Sequence, residues 1–225
     1  MLKNITILIV LVLADLVSAK SNLSTERLSQ LSGEKQNSFD SKSEWDQAYS
    51  RNSFIFGKTP AKFLAENFDY IPEGSTVLDM GMGEGRNAVF LAQKGHKVTG
   101  VDISSVAIKK SYLLAKEYGV KIKGVVASLS KYQIPPESFD AIICFYFINR
   151  DIVEKMKSWL KPGGLIIYEA YTELQKTVKS HRKYEESQYL KQQELLKLFG
   201  DMRVLKYEEP LHEEKYRASI ILRKE

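Results

Sequence analysis

A short glycine-rich segment with acidic neighbours is the part of the sequence whose residue types could most directly do chemistry. It covers residues 79–85, reads DMGMGEG, and joins an apolar run that predicts a β-strand to a run that predicts a helix. Glycines at a strand-to-helix junction let the backbone turn tightly and approach a bound ligand closely. The segment therefore predicts a ligand-binding loop.

The glycine spacing and the nearby charges indicate which ligand this loop takes. A dinucleotide-binding fingerprint would have its third glycine at position 86, where the sequence has Arg86. Pyrophosphate binds to backbone N–H groups, and carboxylates at Asp79 and Glu84 would repel it. The same carboxylates favour a ligand that carries an ammonium and a sulfonium group.

A second acidic residue, Asp102, ends the next predicted strand, 21 residues after Gly81. An acid at this place can accept hydrogen bonds from two ribose hydroxyls. Adenosine with a cationic tail describes S-adenosylmethionine, which we expect as the cofactor. Taken singly, Asp79 and Asp102 could only cap the helices that follow them, and the glycines could form only a tight turn. Their combination at these separations favours the cofactor site.

The elements that position the loop alternate between short apolar runs and helical patterns from Thr76 onward. A chain of 225 residues with 44% hydrophobic and 27% charged residues has room for one such globular domain. The alternation predicts βαβ units, and the last two strands are too close together for a helical crossover. We therefore expect five parallel strands followed by a terminal hairpin. The predicted strands are 76–80, 97–102, 120–127, 139–146, 164–171, 202–209 and 216–224; the predicted helices are 86–94, 105–118, 151–160 and 189–199.

From Trp45 to Lys224, about four-fifths of its length, the chain resembles class I S-adenosylmethionine-dependent methyltransferases. The resemblance is to the tellurite-resistance and thiopurine-methyltransferase-like group in particular. It implies an α/β fold, a Rossmann-like three-layer sandwich whose seven-stranded sheet is mostly parallel with an antiparallel last strand. The first loop is its most specific part. The matching stretches are WDQAYSRNSFIFGKTPAKFL, VLDMGMGEGRNAVFLAQKGHKVTGVDIS, FDAIICFYF and LKPGGLIIYEAY.

The resemblance also implies cofactor contacts for individual residues. Gly81 and Gly83 would approach the methionine part, and Asp79 and Arg86 would contact or shape its charged groups. Asp102 would hold the ribose. Ile103 would pack on adenine, and Ser128 or the backbone of Leu129 would meet the adenine amino group, where the family often has Asp. Cys144 and Phe145 would line the methyl-transfer face. The residues implied for a lid over the cofactor are Tyr49, Trp45, Phe54 and Phe56. Packing without ligand contact is the alternative for these aromatic residues.

The expected reaction is in-line transfer of a methyl group to a small-molecule acceptor. A sulfonium is already activated, so alignment and exclusion of water matter most, and no residue is assigned as catalytic. A thiol or another chalcogen suits this chemistry because its anion is accessible near neutral pH. The substrate-side candidates are Tyr146, Asn149, Arg150, Tyr171, His181, Arg182 and His212, with residues 172–188 as a substrate lid.

Nucleic acid is not expected as a partner. The Asn-Pro-Pro-aromatic element that acts on nucleic-acid amino groups is missing, and the net charge of +5 is dispersed along the chain. No metal site is predicted, since Cys144 lacks partners at useful spacing, and a lone cysteine excludes an internal disulfide. Two other functions stay open: a non-catalytic S-adenosylmethionine-binding module, and aminopropyl transfer on the same fold.

The first 19 residues have the layout of a secretory signal peptide or a short membrane anchor. Their apolar stretch of 13 residues is shorter than the roughly 20 residues that a spanning helix needs. A polar linker over 20–43 and a methyltransferase domain over 44–225 would follow. This layout predicts an exported (periplasmic or secreted) or membrane-anchored protein; a mis-assigned start would instead leave it cytoplasmic.

Overall fold

A single seven-stranded sheet organises the chain in the computed structural model, which describes residues 42–179, 181, 184–211 and 215–225. The strands lie in the order β3-β2-β1-β4-β5-β7-β6. They are β1 (Thr76–Met80), β2 (Lys97–Asp102), β3 (Lys123–Val126), β4 (Phe139–Phe145), β5 (Leu160–Tyr171), β6 (Arg203–Glu208) and β7 (Arg217–Arg223). Strands β1 to β5 are parallel, and β7 pairs antiparallel with both β5 and β6. The predicted mostly parallel sheet with an antiparallel last strand is confirmed.

Helices cover both faces of this sheet. They are α1 (Lys42–Tyr49), α2 (Lys62–Asn67), α3 (Arg86–Gln93), α4 (Ser105–Glu117), α5 (Val153–Trp159) and α6 (Glu194–Leu198). On one face, apolar residues of α2, α3 and α4 pack against Val77 and Ile143. On the other face, residues of α5 and α6 pack against Leu78 and Ile142. Neighbouring strand residues thus point to opposite layers, which gives the three-layer sandwich.

The parallel arrangement brings functional candidates to one edge of the sheet. Because β1, β2 and β4 are parallel neighbours, their carboxyl ends at Met80, Asp102 and Phe145 lie at the same edge. Ligands of open α/β sheets bind at this edge. The glycine loop follows β1 there.

Two predicted strands have different bounds in the structure. The strand predicted over 120–127 is shortened to β3, because the N–H of Val120 bonds to the carbonyl of Ala115 and closes the end of α4. The strand predicted from Gly164 begins instead at Leu160, which pairs with Phe139. The Pro-Gly-Gly segment lies inside β5, where the register with β4 shifts between Phe139 and Ala141, and α5 ends before it at Trp159.

The helix predicted over 189–199 is wrong for its first half. Only residues Glu194–Leu198 are helical. The N–H of Leu190 bonds to the carbonyl of Tyr171, and the guanidinium of Arg150 bonds to the carbonyl of Tyr189 at 2.9 Å. These long-range bonds hold residues 189–190 extended, which overrides their helical pattern.

At the amino-terminal end, helix α1 begins at Lys42, so residues 42–43 are helical where the sequence predicted linker. The predicted leader over 1–19 and the linker up to residue 41 lie outside the described residues, and both stay predictions. Within the described ranges, no helix combines the length and the apolar character that crossing a membrane requires.

Candidate cofactor and acceptor site

The glycines of the first loop are required by backbone conformation and by close contacts. Gly81, Gly83 and Gly85 have φ values of +65°, +56° and +86°. A Cβ on Gly81 would lie 2.9 Å from the Cβ of Phe147, and one on Gly83 would lie 2.9 Å from the Tyr49 hydroxyl. Larger residues would therefore be strained and would displace their neighbours.

The N–H groups of Gly81, Met82 and Gly83 in this loop are already bonded inside the protein. Gly81 and Met82 both donate to the carbonyl of Val101, at 2.9 and 3.1 Å. Gly83 donates to Oδ2 of Asp102 at 2.8 Å. A phosphate cradle needs such N–H groups to point at the ligand. The loop geometry therefore disfavours pyrophosphate independently of charge.

Asp79 places a buried carboxyl group, one of whose oxygens lacks a hydrogen-bond partner among the described residues, at the start of the loop. Its side chain is buried, the N–H of Ala88 donates to it, and its Oδ2 has no hydrogen-bond partner within the described structure. Burial, reinforced by the charge of Asp102, raises the pKa of Asp79 to about 8, although Arg86 opposes the shift. An unsatisfied buried carboxyl is unfavourable, so a cationic ligand beside Asp79 would be stabilised.

Asp102 combines loop support with spare acceptor capacity. One of its oxygens accepts from Gly83, and the other accepts from the N–H of Ser104 at 2.8 Å. Burial raises the pKa of Asp102, although these backbone bonds oppose the rise. Each carboxylate oxygen has two lone pairs, so acceptor positions remain for ribose hydroxyls. The geometry fits the predicted role.

Glu84 has a different role from the predicted one. It forms an ion pair with Lys110, and its Oε2 accepts from the N–H of Ile55 at 2.8 Å. The ion pair weakens the repulsion of a phosphate that the sequence predicts for Glu84. Asp79 and Asp102, which have no such pair in the described structure, contribute most of the negative character of the site.

The predicted lid segment lies against the loop. Tyr49 is only 4% exposed, stacks on Trp45 with 5.4 Å between ring centroids, and places its hydroxyl at Gly83. Burial, with the charges of Asp102 and Glu84, raises the pKa of Tyr49 well above its ordinary value. Among the other aromatic residues, Phe54 packs beside Val89, Leu114 and Ala115, and Phe56 is 45% exposed.

Arg86 connects the lid to the acceptor side of the site. One of its guanidinium nitrogens donates to the carbonyl of Phe56 at 3.1 Å. Its guanidinium carbon lies 5.7 Å from the ring centroid of Tyr146. The same guanidinium opposes the rise in the pKa of Asp79, so Arg86 interacts with both the predicted cofactor carboxyl and the predicted substrate side.

The predicted adenine contacts follow β2 and β3. Ile103 is half-buried between Asp102 and Ser104. The Ser128 hydroxyl bonds to the Ser130 hydroxyl at 2.8 Å, while the side chain of Leu129 is buried in the core with Val101. Leu129 therefore has only its backbone to offer a ligand.

The two residues predicted at the end of β4 are both buried. Cys144 is fully buried, and its thiol donates to the carbonyl of Phe147 at 3.2 Å. Burial raises the pKa of this thiol well above its ordinary value. Phe145 packs in the opposite hydrophobic layer and is 7% exposed. Direct contact of the Cys144 side chain with a ligand would require local rearrangement.

Aromatic side chains form the predicted substrate side. Tyr146 adopts φ = +59°, donates its hydroxyl to Glu169 at 2.5 Å, and lies 4.8 Å from the ring of Tyr171. Tyr171 in turn lies 4.7 Å from the ring of His181. The Nε2 atom of His181 is buried without a hydrogen-bond partner in the described structure, and burial lowers the pKa of its imidazole. Tyr184 and Tyr189 complete the cluster.

The remaining substrate-side candidates separate into structural and undescribed residues. Arg150 forms an ion pair with Glu194 and bonds to the carbonyl of Ser187 at 2.7 Å, so it holds the chain between β5 and α6. Asn149 accepts from the N–H of Asp151 at 3.1 Å and caps a short 3₁₀ turn. Arg182 and His212, and part of the predicted lid over 172–188, lie outside the described residues.

Two residues of the site were missed by the sequence analysis. Lys110 resembles any lysine on a helix, yet it binds the lid, and Glu169 lies within an apolar strand but anchors Tyr146, Ser219 and Arg217. Glu169 could have been found as an acid within the apolar run of β5, because an interior charge requires partners. Across the described ranges, no group of three or more His, Cys, Asp or Glu residues could hold a metal ion.

Comparisons with known proteins agree with this geometry. Residues 77–164 match the family model described as "Methyltransferase domain". The chain is 34% identical over 115 residues to a ubiquinone biosynthesis O-methyltransferase of Idiomarina loihiensis, covering 48% of this chain and 45% of that protein. It is 31% identical over 137 residues to phosphoethanolamine N-methyltransferase 3 of Arabidopsis thaliana, covering 57% of this chain and 28% of the relative. The chain thus spans less than half the length of these curated relatives.

A solved structure shares the fold. The crystal structure of TehB from Haemophilus influenzae superposes with a TM-score of 0.59 at 21% identity, over 82% of this chain and 67% of that one. The match over residues 77–164 agrees with the predicted class, since methyltransferase domains of this kind use S-adenosylmethionine as their cofactor. The acceptor and the finer group are not determined by these matches.

Proposed function

We propose that this chain transfers the methyl group of S-adenosylmethionine to a small-molecule acceptor. The observation that carries the proposal is the polarity of the first loop. Its N–H groups at Gly81, Met82 and Gly83 are bonded inward, while one oxygen of the Asp79 carboxyl has no hydrogen-bond partner among the described residues. A pocket of this polarity favours a cationic nucleoside over a phosphorylated one.

Each residue of the pocket has a part in the proposed reaction. S-adenosylmethionine supplies an activated methyl group on a sulfonium when bound. Asp79 holds positive charge, Asp102 accepts from ribose hydroxyls, and Tyr49 covers the loop at Gly83 and excludes water. Tyr146 and Tyr171, whose ring planes are tilted by 39° to each other, present aromatic surface on the acceptor side. Alignment and water exclusion are the main requirements of an in-line displacement at a sulfonium.

A thiol or another chalcogen is the proposed acceptor. The Glu169 carboxylate accepts hydrogen bonds from Tyr146 and Ser219 and forms an ion pair with Arg217. It is therefore not available as a general base for a hydroxyl or an amine acceptor. A chalcogen acceptor ionises near neutral pH without such a base. The proposed finer grouping, with tellurite-resistance and thiopurine-type methyltransferases, rests on the residue resemblance and this acceptor chemistry. Methyl transfer to oxygen or nitrogen, named for the curated relatives, is the competing outcome.

The test is a methyl-transfer assay on the purified full chain with radiolabelled S-adenosylmethionine. Its acceptor panel contains small thiols, a selenol, catechols and phosphorylated ethanolamines, with the Asp79→Asn variant as the inactive control. We expect label to transfer to the thiols or the selenol. Transfer only to hydroxyls or amines would overturn the acceptor class, and cofactor binding without transfer to any member of the panel would favour a non-catalytic module.

A further inference from the structure

Lys110 makes an unusual set of contacts for a helix lysine. Its ammonium forms an ion pair with Glu84 and donates to three backbone carbonyls, those of Tyr49, Arg51 and Ser53, at 3.2, 3.0 and 2.7 Å. Its Nζ also lies 5.0 Å from the ring centroid of Phe54. The Lys110 side chain is 12% exposed and that of Glu84 is 3% exposed. Most surface lysines instead keep their ammonium in water.

The three carbonyls belong to one segment, residues 49–56, here called the strap. Glu84 holds the same strap from the other side, because its Oε2 accepts from the N–H of Ile55. Glu84 is itself part of the glycine loop. The Lys110–Glu84 pair therefore joins three pieces of the chain: helix α4, the glycine loop and the strap.

The strap carries the contacts that cover the proposed cofactor position. Tyr49, at its start, places its hydroxyl over Gly83, and the carbonyl of Phe56, at its end, accepts from Arg86. Both ends of the strap thus lie against residues of the loop or its helix. Loss of the central attachment would leave a strap with few other bonds to the loop.

We propose that Lys110 is a positioning residue that fixes the strap over the cofactor. The inference rests on the proposed function for its ligand, but the attachment itself is a property of the ligand-free chain. A partly buried ammonium with one carboxylate and three carbonyl acceptors is well satisfied, whereas removing it leaves the buried Glu84 without its counter-charge. Glu84 would then draw in water, and the strap would detach.

A matched control lies nearby. Lys58 forms an ion pair with Glu117, also on α4, at 2.7 Å, with side chains 39% and 50% exposed. This pair joins a residue just beyond the strap to the same helix without contacting the loop. A surface pair of this kind contributes little. Lys58 also lies 5.2 Å from the ring centroid of Phe54 in the strap. Lys58→Met thus removes a charge, an ion pair and this ring contact, but leaves the bonds of Lys110 to Glu84 and to the three carbonyls.

The experiment compares Lys110→Met, Glu84→Gln, Lys110→Arg and Lys58→Met with the wild type in the full chain. Two quantities are measured: the rate of tryptic cleavage after the exposed Arg51 without ligand, mapped by mass spectrometry, and the dissociation constant of S-adenosylmethionine by calorimetry. Circular dichroism checks that each variant is folded, and Glu84→Gln serves if Lys110→Met does not fold.

We expect Lys110→Met and Glu84→Gln to speed cleavage after Arg51 at least tenfold and to weaken cofactor binding at least tenfold. Lys110→Arg, which keeps the charge and the donors, should recover most of both, and Lys58→Met should match the wild type. Unchanged cleavage would overturn the attachment. Faster cleavage with affinity within twofold would overturn its role for the cofactor, and a wild type that binds no cofactor but shows the cleavage pattern would fault the proposed function alone.

Discussion

Gly83 donates its backbone N–H to the carboxylate of Asp102 at 2.8 Å, which ties the first loop to the end of β2. A glycine loop of this kind could hold a phosphate only if that N–H pointed outward. The geometry of the loop therefore affects which ligand it can bind. Asp102 has two roles, because it accepts a hydrogen bond from the loop and is proposed to accept hydrogen bonds from the ribose hydroxyls.

Replacing Asp102 should remove cofactor binding without unfolding the protein. Asp102→Ala loses the bond to Gly83, the bond to Ser104 and the acceptors for ribose, so we expect affinity for S-adenosylmethionine to fall at least tenfold, about 1.4 kcal/mol. Asp140→Ala is the matched control, because Asp140 bonds to the N–H of Thr76 at the start of β1, on the opposite edge of the sheet. The control should lower the melting temperature and leave the affinity unaltered; an affinity within twofold for Asp102→Ala would refute the ribose assignment.

Asp79 should destabilise the ligand-free protein as pH rises. Its pKa is about 8 in the folded chain, above the ordinary value of 3.8. Between these values the folded state binds more protons than the unfolded state, so the contribution of Asp79 to stability falls with increasing pH, by at most about 1.4 kcal/mol per pH unit, and is lowest above pH 8. Urea unfolding of Asp79→Asn and wild type at pH 4, 6 and 9 measures this.

We expect the Asp79→Asn variant to be more stable than the wild type at pH 9, with the difference shrinking toward pH 4. The variant should also bind S-adenosylmethionine poorly. Cofactor affinity of the wild type should rise between pH 6 and pH 8, because the carboxyl must ionise to pair with a cation. A variant less stable than the wild type at pH 9 would contradict the burial of an unpaired carboxyl.

Gly83→Ala should destabilise the protein through a steric clash with Tyr49, and Tyr49→Phe should partly relieve that clash. The new Cβ would lie 2.9 Å from the Tyr49 hydroxyl but 3.6 Å from the next ring atom, at φ = +56°. The double variant Gly83→Ala/Tyr49→Phe should therefore recover part of the stability lost by the single one. Gly95 has φ = +88° and nothing within 4 Å of an added Cβ, so thermal unfolding of Gly95→Ala reports backbone strain alone, about 1 to 2 kcal/mol. Equal destabilisation of the two single variants would exclude the contact with Tyr49.

Cys144 should be unreactive in the folded protein. The thiol is fully buried, its pKa is raised by burial, and it donates to the carbonyl of Phe147. Thiolate is the reactive form, so a disulfide reagent at pH 8 should label Cys144 only on unfolding in urea. Rapid stoichiometric labelling of native protein would instead put this side chain in an open site, in line with the role that the resemblance implies.

The predictable part of the fold followed from local pattern. Strand β1, strand β2 and the start of α3 lie at the predicted residues because apolar alternation, glycines and the helix pattern agree there. The helix prediction around Tyr189 was wrong because the backbone groups there bond to Tyr171 and Arg150, residues distant in sequence. Local helical pattern carries no information about such bonds.

The site divides in the same way. That Asp79, Gly81, Gly83 and Asp102 lie together at one edge of the sheet was predictable, because one short loop and one strand end contain them. The partner of Glu84 was not, since nothing in a helical lysine such as Lys110 indicates which backbone carbonyls it will meet. Cys144 was expected at an open face, but the direction of a side chain at a strand end depends on the register of β4 against its neighbours.

The central claim is that the loop binds a cationic nucleoside and rejects a phosphorylated one. Calorimetric titration of the full chain with S-adenosylmethionine and, separately, with NAD tests it most directly. The account predicts saturable one-to-one binding of S-adenosylmethionine, lost in Asp79→Asn, and no measurable heat with NAD. Tight NAD binding alongside indifference to S-adenosylmethionine would contradict it.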